Sequence, residues 1–169
     1  ALHHAMHLAG VPRRAPPVQL AAAQVAYSGP GVTLDEHTFA DAINDPSHDG
    51  LVVVRFAAPW CRTCKQVGPI FAKAAEKYRD RAHFFEVDFS SHRMVSRENQ
   101  VLLLPTIQFF VPGIGCVERF TLTYPKRKLL TTQLDAFLAD GKLDQLRALD
   151  PEALSPLVRF KELLGAVRA

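Results

Sequence analysis

The sequence predicts an α/β domain in which helices cover both faces of a mixed central sheet. Three observations carry this expectation. Apolar runs rich in β-branched residues, such as Leu51-Val52-Val53-Val54, alternate with stretches whose apolar residues recur at three and four, the period of a helix. The segments follow the order β-α-β-α-β-β-α, which lets the first strands pair through helical crossovers and the last two through a short turn. Finally, one strand runs directly into a Cys-x-x-Cys as a helix begins, at Trp60-Cys61-Arg62-Thr63-Cys64-Lys65.

The 169 residues, 48% of them hydrophobic, suffice for one domain with a sizeable core plus extensions. A formal net charge of +3 arises without a long basic run, which gives nucleic-acid binding no footprint. Lys126-Arg127-Lys128 reads as a solvated helix start. No apolar run approaches the roughly 20 residues of a membrane-spanning helix. Three cysteines cannot form a fully paired disulfide framework, and two of them clustered in one motif point to redox or metal chemistry. A closed zinc site at Cys61 and Cys64 needs two further ligands, and no second Cys-x-x-Cys supplies them, so neither a metal nor an organic cofactor is expected.

In chain order, residues 1–31 are expected to form an extended arm, being rich in proline and alanine, with Arg13 and Arg14 but no acidic residue. That composition resembles the end of an organelle transit region, and the opening on Ala1 suggests a processed or shortened chain. His3, His4 and His7 lack a Cys or carboxylate within the arm to complete a metal site. Residues 20–27 suit a short helix or an edge strand, and Ser28-Gly29-Pro30-Gly31 marks the boundary to a domain over residues 32–140. Phe39, Ala42 and Ile43 then define a short amphipathic helix capped by Asp35 and stopped by Asp45-Pro46. Residues 51–57 read as a strand covered on both faces, interrupted by Arg55.

After the Cys-x-x-Cys, Val67, Ile70, Phe71, Ala74, Ala75 and Tyr78 predict a helix of about five turns, with a kink at Pro69. Residues 83–89 form the next strand, and the polar, helix-compatible residues 90–100 return the chain. Residues 106–111 and 115–123 pair across Pro112-Gly113 as a hairpin. Residues 126–138 give a second amphipathic helix, carrying Leu129, Leu130, Leu134, Phe137 and Leu138. Beyond Gly141 two further short helices are expected over residues 141–169, the second opened by Asp150-Pro151. Its apolar stripe is expected to pack on the domain or to meet another chain.

The Cys-x-x-Cys carries the chemistry. At a strand-to-helix junction the first sulfur lies beside unpaired backbone N–H groups, where the helix dipole favours thiolate over thiol. Trp60 to Lys65, Pro69 five residues after Cys64, and the distant Pro105-Thr106 together resemble the thioredoxin family over roughly residues 35–140. Within it, Asp88-Phe89-Ser90-Ser91-His92-Arg93, Leu104-Pro105 and the strand after Pro112-Gly113 look most like the atypical chloroplast thioredoxins of plants and algae. Arg62 inside the motif resembles another plastid group. The resemblance implies a thioredoxin-like fold, with Cys61 as the attacking thiolate and Cys64 as the resolving thiol. It also implies that Pro105 is cis, that its loop faces the dithiol, and that the backbone beside it pairs with a substrate strand. Trp60 would shield the sulfur and Arg62 would lower the Cys61 pKa further.

Departures from the family pattern bear on the site. Arg55 stands where the family usually buries an acid, and Glu86 where it usually has a lysine, which suggests an ion pair of reversed sign beneath Cys64. Leu103-Leu104 and Thr121-Leu122 occupy groove positions where the family often has small residues, which suggests a narrowed substrate range. Cys116 near the hairpin turn is a candidate regulatory thiol. The expected function is therefore a thiol-disulfide oxidoreductase that reduces protein disulfides through Cys61 and Cys64. Its electron donor is not named by the sequence, and its expected location is a plastid, stroma or thylakoid-associated, with the mitochondrion as the alternative. A second reading is a structural or redox-sensing subunit docked in a larger assembly, such as a photosynthetic complex, through the arm and the C-terminal helices.

Overall fold

The computed structural model describes residues 31–148. The arm and the helix expected after Asp150-Pro151 lie outside those residues. The elements are α1 (Phe39–Asn44), β1 (Leu51–Ala57), α2 (Arg62–Tyr78), β2 (Ala82–Asp88), α3 (Arg93–Glu98), β3 (Thr106–Val111), β4 (Gly115–Thr121), α4 (Lys128–Phe137) and α5 (Lys142–Arg147). The strands form one sheet in the order β2-β1-β3-β4. β1 and β2 are parallel because α2 crosses over between them, whereas β3 lies antiparallel to β1 and to β4. The β3–β4 turn passes through Gly113 at φ +80°, a conformation that disfavours any side chain.

Alternation along β1 divides the interior. Leu51 and Val53 point with Phe84, Ile107 and Phe109 into the layer under α2 and α4, which Val67, Phe71, Leu130 and Leu134 fill. Val52, Val54 and Phe56 point the other way, with Phe85 and Val87, onto Phe39 of α1 and Val95 of α3. Burial on both faces explains why β1 reads as a continuous apolar run. The same period of two sets Arg55 on the α2 face, beneath the start of the Cys-x-x-Cys helix. Parallel register places it opposite Glu86.

Several expectations shift in detail. Asp35 caps the turn that leads into α1, accepting from the backbone N–H groups of His37 and Thr38 and from the Thr38 hydroxyl, so the helix itself begins at Phe39. Backbone bonds from Leu34 N–H to the Glu86 carbonyl and from Glu86 N–H to the Val32 carbonyl extend the sheet at the outer edge of β2. Apolar alternation over so few residues is too short to register as a strand. Leu122, expected in the substrate groove, is fully buried in the core under α4 and leaves the groove to other side chains.

Candidate active site

Cys61 is the residue that caps α2, and its sulfur accepts the backbone N–H of Cys64 at 3.1 Å. The first turn of a helix leaves its N–H groups without backbone partners, and here one of them is spent on sulfur. This contact selectively stabilises a negative charge on Cys61. Cys64 lies one turn further on, and the two form a disulfide with Cα atoms 5.2 Å apart. Both are buried, at 8% exposed for Cys61 and 3% for Cys64. Cys61 is thus more open than Cys64 only by a small margin, because Ala58, Phe89 and Leu104 pack against the pair.

The Leu104–Pro105 peptide is cis. The loop before it is tied down by a 2.6 Å hydrogen bond from the Thr106 hydroxyl to the Leu103 carbonyl. With the loop fixed, Leu104 turns onto the dithiol while Leu103 stays 65% exposed. Trp60 neither joins the packed cluster nor enters the core. It stands 68% exposed, with its indole N–H donated to the Ser90 hydroxyl at 2.9 Å. Arg62 is exposed at the start of α2.

Beneath the dithiol, Arg55 Nη2 donates to Glu86 Oε2 at 2.6 Å, and Nη1 donates to the Cys64 carbonyl at 3.2 Å. The guanidinium lies 5.2 Å from the centre of the Phe71 ring. Gly68, one turn along α2 from Cys64, leaves room for it, since a Cβ there would meet Nη1 at 3.4 Å. A groove of about 300 Å³ runs past this pair, lined among others by Thr33, Ala57, Cys64, Lys65 and Asp88. A larger hollow of about 520 Å³ lies at the other end of β1 and β2, around Asp49, Arg81, Asp140 and Arg147, far from the sulfurs along the sheet.

Cys116 lies apart from this constellation, on β4. The residue is exposed, but its sulfur is turned toward the Glu118 carbonyl at 3.4 Å, and loss of hydration there pushes its thiol pKa up. Among the described residues no cluster of His, Cys, Asp or Glu is arranged to hold a metal. No helix among them is long and apolar enough to cross a membrane.

Sequence reasoning missed Phe89 and Ser90, which contact the dithiol cluster and Trp60 respectively, and the pairing of His92 Nδ1 with Glu36 Oε2 at 2.7 Å. Placement directly after β2, at the same end of the sheet as the Cys-x-x-Cys after β1, is the signal that points to them.

Strand, N-capped dithiol, cis-proline loop and crossover helix together define a dithiol-disulfide exchange domain. The thioredoxin family profile matches residues 31–134, and the chain belongs to the thioredoxin family. It is similar to thioredoxin of Homo sapiens, 43% identical over 75 residues that make up 44% of this chain and 70% of that protein. Bos taurus thioredoxin is 40% identical over 78 residues, 46% of this chain and 72% of the relative. Protein disulfide-isomerase A2 of Mus musculus aligns over 137 residues at 29% identity, 81% of this chain and 25% of that protein. In three dimensions the fold is similar to that of Malassezia sympodialis thioredoxin, with a TM-score of 0.55 at 24% identity over 66% of this chain and 94% of that one. The domain is a thiol-disulfide oxidoreductase, and the exchange chemistry of its family runs on the two sulfurs without a cofactor.

Proposed function

We propose that the protein reduces disulfides in target proteins, with Cys61 attacking and Cys64 resolving. The observation that carries this reading is the 3.1 Å hydrogen bond from Cys64 N–H to the Cys61 sulfur, which marks Cys61 as the better thiolate of the pair. In the reduced protein the Cys61 thiolate attacks one sulfur of the target disulfide. An S–S bond forms between Cys61 and the target, and the displaced target thiolate takes up a proton. Cys64 then loses its proton and attacks the Cys61 sulfur, which closes the Cys61–Cys64 disulfide and releases the second target thiol. The target gains two electrons and two protons, and an external dithiol donor restores the pair. Arg55 holds positive charge beside Cys64 but cannot accept its proton, so Glu86 or water in the adjoining groove takes that role.

Insulin reduction with dithiothreitol as donor tests the reading. Wild-type protein is expected to turn over. Cys64→Ser is expected to stop turnover while accumulating a mixed disulfide through Cys61, visible as a thiol-sensitive mass adduct. No turnover by the wild type would overturn the reading and favour a docked structural or redox-sensing subunit, for example in a photosynthetic complex. The exposed apolar side chains beside the dithiol lend that alternative its support.

The proposed location is the plastid, in a group resembling the atypical chloroplast thioredoxins. Its support is the acid-free composition of residues 1–31 and the Asp88 to Arg93 stretch. Subcellular fractionation with an antibody against the protein checks this, and enrichment with mitochondria would point to the alternative organelle.

A further inference from the structure

We propose that this protein selects target disulfides that lie next to an apolar side chain followed by carboxylates, read by a basic apolar groove between α3 and the cis-proline loop. The proposal rests on the disulfide-reduction reading above and names its substrate class.

The groove, of about 510 Å³, is lined by Phe89, Arg93, Arg97, Gln100, Val101 and Leu102. It adjoins the reacting sulfurs, because Phe89 also packs against the cluster of Ala58, Cys61 and Cys64. Its apolar rim is exposed to an unusual degree. Leu102 is 90% exposed and its neighbour Leu103 65%, with Trp60 beyond Ser90. These side chains are not exposed for want of order in the loop. Val101 N–H is bonded to the Ser96 carbonyl, Gln108 Nε2 to the Asn99 carbonyl and the Thr106 hydroxyl to the Leu103 carbonyl. A fixed backbone that holds several large apolar groups in water beside a reactive centre is the signature of an interaction surface.

Charge decides what kind of partner fits. Arg93 and Arg97 are one turn apart on α3, so both lie along the groove, while Glu98 is rotated away by about 100° and does not line it. Neither guanidinium forms an ion pair among the described residues. The neighbouring acids are engaged elsewhere: Asp88 accepts from the Ser90 N–H and the Ser91 hydroxyl, and Glu36 pairs with His92. A third cation, Arg119, lies outside the lining and donates to Gln100 Oε1, a groove residue, at 3.2 Å. The fitting occupant is a protein segment with an apolar anchor and acidic residues. The chain's own residues 1–31 contain no acid and do not match.

The test uses two synthetic peptides that share one intramolecular disulfide and a leucine, followed by two glutamates in one and two lysines in the other. Hydroxyethyl disulfide serves as a neutral small reference. The wild type is expected to show a kcat/KM about tenfold higher for the acidic peptide, a preference that shrinks at high salt. Arg93→Glu combined with Arg97→Glu should abolish or reverse the preference and leave hydroxyethyl disulfide reduction unchanged. Leu102→Ser should raise KM for both peptides with kcat held. Equal rates on the two peptides, or a preference that survives charge reversal, would overturn the proposal while reduction of hydroxyethyl disulfide leaves the exchange chemistry standing. Failure on all three substrates would overturn both.

Discussion

Arg55 shares its guanidinium between Glu86 and the carbonyl of Cys64, which couples the ion pair to the backbone of the second cysteine of the disulfide. Removing a partner from such a pair leaves the other ion poorly solvated and is expected to cost about 1–3 kcal/mol, less than a fully buried pair because Glu86 keeps contact with water. Arg55→Asp goes further and sets two carboxylates against each other under Cys64. Negative charge there disfavours thiolate, so the pH profile of disulfide reduction is expected to move upward by about one unit. Arg55→Lys keeps the charge and should keep the profile near that of the wild type. A pH-rate series on the three proteins checks this, and identical profiles for wild type and Arg55→Asp would remove the pair from the mechanism. The residue types were legible in the sequence, and their pairing was expected from the resemblance to the thioredoxin family, which usually carries an acid and a lysine at these two positions. The hydrogen bond to the Cys64 carbonyl was not, because it depends on where α2 lands on the sheet.

At the scale of the element, α2 carries the dithiol on one end and its apolar face on the sheet. Phe71 is fully buried, edge-on to Phe84 with ring centres 5.4 Å apart. Phe71→Ala is expected to lower stability by about 3–5 kcal/mol in urea unfolding, through lost burial and the cavity left behind. Pro69 lies inside this helix and leaves the Lys65 carbonyl without its N–H partner. The Tyr78 hydroxyl, bonded to Asp135 Oδ1, ties the far end of α2 to α4. Helix periodicity exposed the buried face of α2 and of α4 in the sequence, since both repeat at three and four over several turns. α3 was harder to bound, because six residues carry only Val95 and Ser96 inward.

Across the molecule, the end of the sheet opposite the dithiol holds a pair of stacked imidazoles, His48 and His83, with ring centres 3.9 Å apart. Burial first, and then repulsion from His48, hold the His83 pKa below its ordinary value of 6.5, against the opposing pull of Asp49 and Asp45. The native state therefore binds protons less readily than the unfolded chain. The stability linked to His83 is present above about pH 6.5 and is lost as pH falls below it. Melting temperature is expected to drop between about pH 7 and about pH 5, and His83→Gln should flatten that dependence. An unaltered slope in the variant would assign the acid sensitivity to other groups.

The sequence by itself determined the strand-helix order, the mixed sheet and the dithiol at the junction of β1 and α2, because each rests on local periodicity and on a motif contiguous in the chain. The resemblance to the thioredoxin family added the expectation that Arg55 and Glu86 pair, which the parallel register of β1 and β2 brings about. Tertiary structure alone decided that Phe89 closes over the sulfurs, that Leu122 enters the core, and that Trp60 and Leu102 remain in water. Those outcomes depend on how loops from separate strands meet at one end of the sheet, a packing problem that no local period encodes.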